Sequence, residues 1–121
     1  MTTFRSSQLS QLVPLFRTKG LECEEAERRN DAKVQSTLSD EIREIGDAIL
    51  AHGESGREAL RPFLSDPSES IRLTAAARLL GPEPSTALPI VEKISREGNL
   101  QNGTFADIVL QEWRKASASA S

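Results

Sequence analysis

Apolar residues return every third or fourth position along almost the whole chain, the spacing that places them on one face of a helix. That periodicity restricts the chain to helices that bury one stripe each, separated by short breaks rich in Gly, Pro, Ser and Asx residues. From Ser6 or Ser7, the residues Leu9, Leu12, Val13, Phe16, Gly20 and Cys23 form one stripe. The spacing predicts a single helix to about Arg28, with Gly20 facing inward, and a break at Gly20 is the rival reading.

A second stripe, Val34, Leu38, Ile42, Ile45 and Ile49, runs from an Asn30 or Asp31 cap to a stop at Gly53. Ser55-Gly56-Arg57-Glu58 has the S-x-x-E form of a capping box and predicts a short helix to Leu64, kinked at Pro62. Asp66 or Ser68 starts the next helix, with Pro67 at its boundary and Gly81-Pro82 as its end. Ser85 is the expected cap of a helix carrying Leu88, Val91 and Ile94 to Gly98-Asn99. Thr104 is the expected start of the last, whose inward stripe is Phe105, Ala106, Val109, Leu110 and Trp113. Ala116 to Ser121 alternates Ala and Ser with no apolar face, and is expected to be a frayed, flexible tail.

At 121 residues, the chain has room for one domain, expected over 1–115. Fifteen basic against 18 acidic residues leave a net charge of -3, so no global field favours nucleic acid or an anionic membrane. One cysteine excludes an internal disulfide and, with one histidine, leaves little for a metal site. No cofactor is expected. A reducing compartment, the cytoplasm, is the expected location, since no apolar run approaches the ~20 residues that span a bilayer and no signal-peptide pattern is present.

Short breaks between helices imply antiparallel neighbours and thus helical hairpins. A faint repeat supports a stacked arrangement. Ala59-Leu60 with Pro62-Phe63 resembles Ala87-Leu88-Pro89-Ile90, and Ala75 with Leu79-Leu80 resembles Ala106 with Val109-Leu110. The segment Leu60 to Gly81 resembles a HEAT repeat: a proline-kinked helix, an Asp-Pro turn, then a helix opening on a branched apolar residue, arginine and paired alanines. From about Leu9 to Trp113 the chain is similar to a family of small bacterial proteins, known only as a domain of unknown function, built from HEAT-like hairpins. Its matching features include Gly53 to Leu64, Pro67, Ile71-Arg72, Ala75-Ala76, Ala87-Leu88-Pro89 and Leu110 with Trp113. The resemblance implies an all-α fold, a short right-handed α-solenoid of about six helices in antiparallel hairpins. It supplies no catalytic residue.

Arg72 lies within the apolar arc of its helix. A buried guanidinium without partners would cost several kcal/mol, so a carboxylate or several carbonyls must meet it, Asp66 first among them. The HEAT resemblance implies that an acidic turn residue and this arginine link neighbouring repeats, a structural role for Asp66 and Arg72. Trp113 is expected to be structural as well, buried at the end of its stripe; alternatively it is an exposed anchor for a partner.

The remaining reactive side chains form no catalytic constellation. His52 has no Ser, Cys or acidic residue at a recognisable spacing and is expected at the core or a helix end. Cys23 sits among Glu22, Glu24 and Glu25, which oppose thiolate formation. Glutamates scattered between Glu22 and Glu27 do not make a loop of converging oxygens for a cation.

These features favour a non-enzymatic protein-interaction module with an unidentified protein partner, as a monomer or weak dimer. The expected partner face comprises two polar rows: Ser70, Thr74 and Arg78, and Asp107, Gln111 and Arg114. The alternative is a nucleic-acid-binding helical-repeat protein with Arg57, Arg61, Arg72 and Arg78 lining a basic groove. The acidic balance, the lack of tyrosine and the five Phe and Trp residues disfavour it. A helical-repeat enzyme is a third class. The repeated His-Glu pairs of a metal-dependent hydroxylase are missing.

Overall fold

In a computed structural model describing residues 7–120, the chain is all-helical, with six α-helices and one 3-10 segment and no strand among the described residues. The helices are α1 (Leu9–Arg28), α2 (Ala32–Leu50), α3 (Glu54–Leu60), α4 (Glu69–Leu79), α5 (Pro84–Glu97) and α6 (Leu100–Ala120), with the 3-10 turn Arg61–Ser65 between α3 and α4. The contacts divide the chain into two compact units, Met1–Pro62 and Phe63–Ser121.

In the first unit, α1 packs chiefly on α2, and α3 lies against both. Helix α1 passes unbroken through Gly20, which is buried with Leu12, Phe16 and Ala26. Ser6, one of its two expected starting residues, lies outside the described residues, and the helix begins after Gln8, whose N–H donates to Gln11 Oε1 at 3.2 Å. Its end shows why the next helix starts where it does. Asn30 adopts φ 57, a left-handed conformation that an Asn tolerates better than most residues. Asn30 N–H then donates to the Glu27 carbonyl at 3.0 Å and Asp31 N–H to the Ala26 carbonyl at 2.9 Å. This is a Schellman closure with Asn in the place usually taken by Gly. Asp31 at once caps α2, accepting from Val34 N–H at 3.2 Å. Leu38, Ile42, Ile45 and Ile49 are buried as expected; Val34, within the first turn, is 39% exposed.

The Ser55/Glu58 capping box does not form. Gly53, at φ 72, follows the end of α2 and is itself the N-cap of α3, two residues ahead of the expected cap Ser55. Its carbonyl accepts from Gly56 N–H at 3.0 Å and Arg57 N–H at 3.1 Å, and this leaves Ser55 inside the first turn. Pro62, which cannot donate, coincides with the change from α-helix to 3-10 turn, so the expected kink is a change of helix type.

In the second unit, α5 packs on both α4 and α6, and α4 touches α6. Ser68 caps α4, accepting from Ile71 N–H at 3.2 Å. The buried face of α4 is Ile71, Leu73, Ala75, Ala76 and Leu79; α5 contributes Ala87, Val91 and Ile94, and α6 Ala106 and Leu110. Two expected starts move. Helix α5 begins at Pro84, not after Ser85, because proline's fixed φ suits the first helical position, and the Glu83 carbonyl accepts from Ala87 N–H at 3.1 Å. Helix α6 begins four residues before Thr104, whose hydroxyl instead donates back to the Leu100 carbonyl at 2.8 Å. The helix continues through Ala120 into the segment expected to fray, where Ala116, Ser117 and Ala118 are exposed.

No helix of the described residues is long and apolar enough to cross a membrane.

Candidate functional site

Arg72 is half-buried, and both of its hydrogen bonds are local: Nη1 donates to the Asp66 backbone carbonyl at 2.7 Å and to the Pro67 carbonyl at 3.1 Å. The charge is thus met by carbonyls, one of the two solutions expected, while the Asp66 carboxylate accepts from Ser68 N–H at 2.9 Å. Asp66 and Arg72 are structural neighbours, as expected, but by a different route. Together with the Ser68 cap they lock the turn that launches α4. In place of the expected link between repeats, the bond spans five to six residues of sequence, because the guanidinium folds back over the turn ahead of its own helix, where the Asp66 and Pro67 carbonyls precede the Ser68 cap and lie outside the helical ladder.

A second polar cluster was not anticipated. Asn102 is only 7% exposed. Its Nδ2 donates to Glu69 Oε1 at 2.9 Å and to Ser70 Oγ at 3.2 Å, while Glu69 Oε1 also accepts from Asn99 N–H at 3.1 Å. Asn99 Oδ1 in turn caps α6, accepting from Asn102 N–H at 2.8 Å. The N-terminus of α4 is thereby fastened to the α5–α6 turn. Gly98 belongs to this turn: a Cβ there would lie 2.6 Å from the Ile94 carbonyl oxygen and 3.2 Å from Glu69 Oε1. The Asn99-x-x-Asn102 spacing resembles a cap and was the available signal; its partner Glu69, thirty residues away, was not legible.

The two expected polar rows separate. Ser70, Thr74 and Arg78 are half-buried, with Ser70 bonded to Asn102 and the Thr74 hydroxyl donating to the Ser70 carbonyl at 2.8 Å. They belong to the interior of the helix packing more than to a surface, because the polar edge of α4 meets α6. Asp107, Gln111 and Arg114, by contrast, are exposed and line a groove of about 210 Å³ between α5 and α6, together with Glu92, Ser95, Arg96 and Leu110. Ser95 Oγ hydrogen-bonds Asp107 Oδ1 across it.

Beside the groove, α6 turns apolar side chains outward. Leu100 is 88%, Ile108 50% and Phe105 45% exposed, and these are the large apolar residues most open to solvent among those described. Phe105 was expected inward; the buried stripe of α6 is Asn102, Ala106 and Leu110, which places Phe105 outside it. Trp113 is half-buried, between its two expected positions, so truncation would cost less than the ~3–5 kcal/mol of a core aromatic.

Elsewhere the titratable groups serve packing. Cys23 Sγ lies 3.7 Å from the Gln35 carbonyl oxygen and 3.7 Å from Ser39 Oγ, at the contact of α1 with α2. Burial pushes its thiol above the ordinary value, the Ser39 hydrogen bond opposes that, and the Glu27 and Glu24 charges add to it. The exposed His52 Nε2 is 3.0 Å from the Ser7 carbonyl oxygen, a geometry that requires the ring to donate from that nitrogen. Glu25 is hydrogen-bonded by Arg28 at 2.6 Å, which lowers its carboxyl pKa, and Glu22 and Glu41 flank Lys19 at 3.9 and 3.3 Å. No group of three or more His, Cys, Asp or Glu among the described residues converges as a metal site.

No protein-family model matches the chain, and no curated protein matches it. A solved structure does: the crystal structure of the protein RPA1889 from Rhodopseudomonas palustris CGA009, with a TM-score of 0.83 at 23% identity over 95% of each chain. At that identity the likeness establishes a shared fold and carries no function.

Proposed function

We propose that the chain is a non-enzymatic protein-interaction module built of HEAT-like helical hairpins in a short right-handed solenoid, acting in the cytoplasm as a monomer or weak dimer on a protein partner. The short connections favour antiparallel hairpins, and the recurrence of Ala75 and Leu79 as Ala106 and Leu110, all four buried, favours a repeated layout. The observation that carries the functional reading is the outer face of α6, where Leu100, Phe105 and Ile108 stand in solvent. A helix packed on one side ordinarily turns polar residues to solvent, and a cluster of large apolar ones there calls for a cover.

The nucleic-acid alternative has less support. Arg57 and Arg61 both donate to Glu54, at 3.3 and 3.1 Å, and Arg72 is engaged by carbonyls, so phosphate would have to compete with acceptors already in place.

The test is affinity capture from lysate with the wild-type chain and with Phe105→Asp/Ile108→Asp, identified by mass spectrometry. Partners lost with the double variant while its helical circular dichroism is unchanged would support the reading. Identical captured sets would overturn it.

A further inference from the structure

Two cations line the α5–α6 groove without a side-chain partner. Neither Arg96 nor Arg114 has a hydrogen bond or ion pair among the described residues, although Glu92 lies on the same wall and is itself unpaired. Asp107, the other acid, is occupied by Ser95. Among the other described arginines, Arg28 is engaged by Glu25, Arg43 by Asp40, Arg57 and Arg61 by Glu54, and Arg72 by two carbonyls.

From this difference we infer that the groove docks an acidic–apolar segment of a protein partner, its carboxylate received by Arg96 and Arg114 and a neighbouring apolar side chain resting on Ile108. This deepens the proposed interaction role and rests on it. Guanidinium is the group best shaped for a carboxylate, offering parallel N–H donors. Ile108 and Gln111 are three residues apart on one helix and therefore adjacent on its surface, so a chain leaving the groove at Gln111 meets the exposed Ile108.

Two features exclude other ligands. Both arginines are exposed and the groove is open to solvent, so a small free carboxylate would gain only weak, screened pairs; a segment that adds an apolar contact gains more. The Glu92 and Asp107 carboxylates offset the two guanidiniums within the same groove, which leaves no net positive field to hold a dense polyanion and favours a single carboxylate placed against the guanidiniums. The whole chain carries net charge -3, so recognition is of short range and does not depend on long-range steering.

The probe is a fluorescein-labelled repeating Glu-Leu peptide, titrated with the full chain by fluorescence polarisation, with its Lys-Leu counterpart as control. The Glu-Leu peptide is expected to bind, the Lys-Leu peptide to bind at least about tenfold more weakly, and Arg96→Glu/Arg114→Glu to lose at least about tenfold in affinity. Arg96→Gln/Arg114→Gln is expected to lose part of this, and Arg43→Glu on α2 none. Raising salt from about 50 to 300 mM weakens the complex. Equal binding of both peptides, equal binding by the Glu/Glu variant, or no binding of the Glu-Leu peptide would overturn the inference. Lysate capture with the Glu/Glu variant separates the two readings. Partners retained by it, yet lost by Phe105→Asp/Ile108→Asp, would sink the acidic-segment assignment and leave the interaction role standing.

Discussion

Asn102→Asp probes the clasp between α4 and the α5–α6 turn with the exchange of one amide nitrogen for oxygen. In the native chain Nδ2 donates to Glu69 Oε1 at 2.9 Å, in a site where Asn102 is 7% exposed. The variant replaces that donor with a second carboxylate. Two unit charges about 3 Å apart repel by about 5–6 kcal/mol at an effective dielectric of about 20, an upper limit because the side chains can swing apart. The lost hydrogen bond to a charged group adds about 1.5–3 kcal/mol. After relaxation, a loss of about 2–5 kcal/mol at pH ~7.5 is expected. Acid relieves it. The folded variant holds a proton between the two carboxyls more tightly than the unfolded chain does, so the folded pKa is raised and the deficit shrinks as pH falls toward ~4.5. Trp113, the one tryptophan, lies on α6, so its fluorescence in urea titrations follows this helical unit. A loss below about 0.5 kcal/mol at pH ~7.5, or a deficit that does not change on acidification, would refute the geometry of the clasp.

Three further outcomes are expected. Arg72→Ala removes both carbonyl contacts and the packing of the stem and should cost about 2–3 kcal/mol, whereas Arg72→Met keeps the stem and should lose about 1 kcal/mol less; equal, negligible shifts in thermal unfolding would take Arg72 out of its structural role. Gly56→Ala places a Cβ 1.9 Å from the Ile49 carbonyl oxygen, so the turn from α2 to α3 must move; despite the better helix propensity of Ala, a net loss of at least about 1 kcal/mol is expected, read by hydrogen exchange of α2 amides, and unchanged protection would contradict it. The Cys23 thiol, raised by burial, should be alkylated by iodoacetamide more slowly in the folded chain than in urea at pH ~8. Because the folded value lies above the unfolded one, its contribution to stability is complete below the ordinary thiol value of 9.0 and lost as pH rises through the folded value; alkylation at equal rates in both states would argue against it.

Local chemistry was largely legible in the sequence. The stripes of α1, α2 and α4 follow from the helical period, the caps Asp31 and Ser68 were each one of two residues readable as such, beside Asn30 and Asp66, and Gly53 was readable as a stop, because each depends on residues within one or two turns. Where local signals competed, position decided between them. Pro84 and Gly53 took the starts that Ser85 and Ser55 also offered, since a preset φ or a free carbonyl outweighs an available hydroxyl.

The site was less legible, for a different reason. Arg72 was recognisably a cation in need of oxygen, yet which oxygen depended on the path of the turn at Asp66-Pro67. Periodicity alone put Phe105 and Trp113 on the inner stripe of α6. The rotation of that helix is set instead by Asn102, held by Glu69 and Ser70 from thirty-odd residues earlier. The amino-acid order by itself determined that this chain is helical and where most of its helices lie, since those are short-range preferences repeated along the chain. Tertiary structure alone decided which face of α6 meets solvent and which arginines stay unpaired, because both depend on distant side chains competing for the same partners.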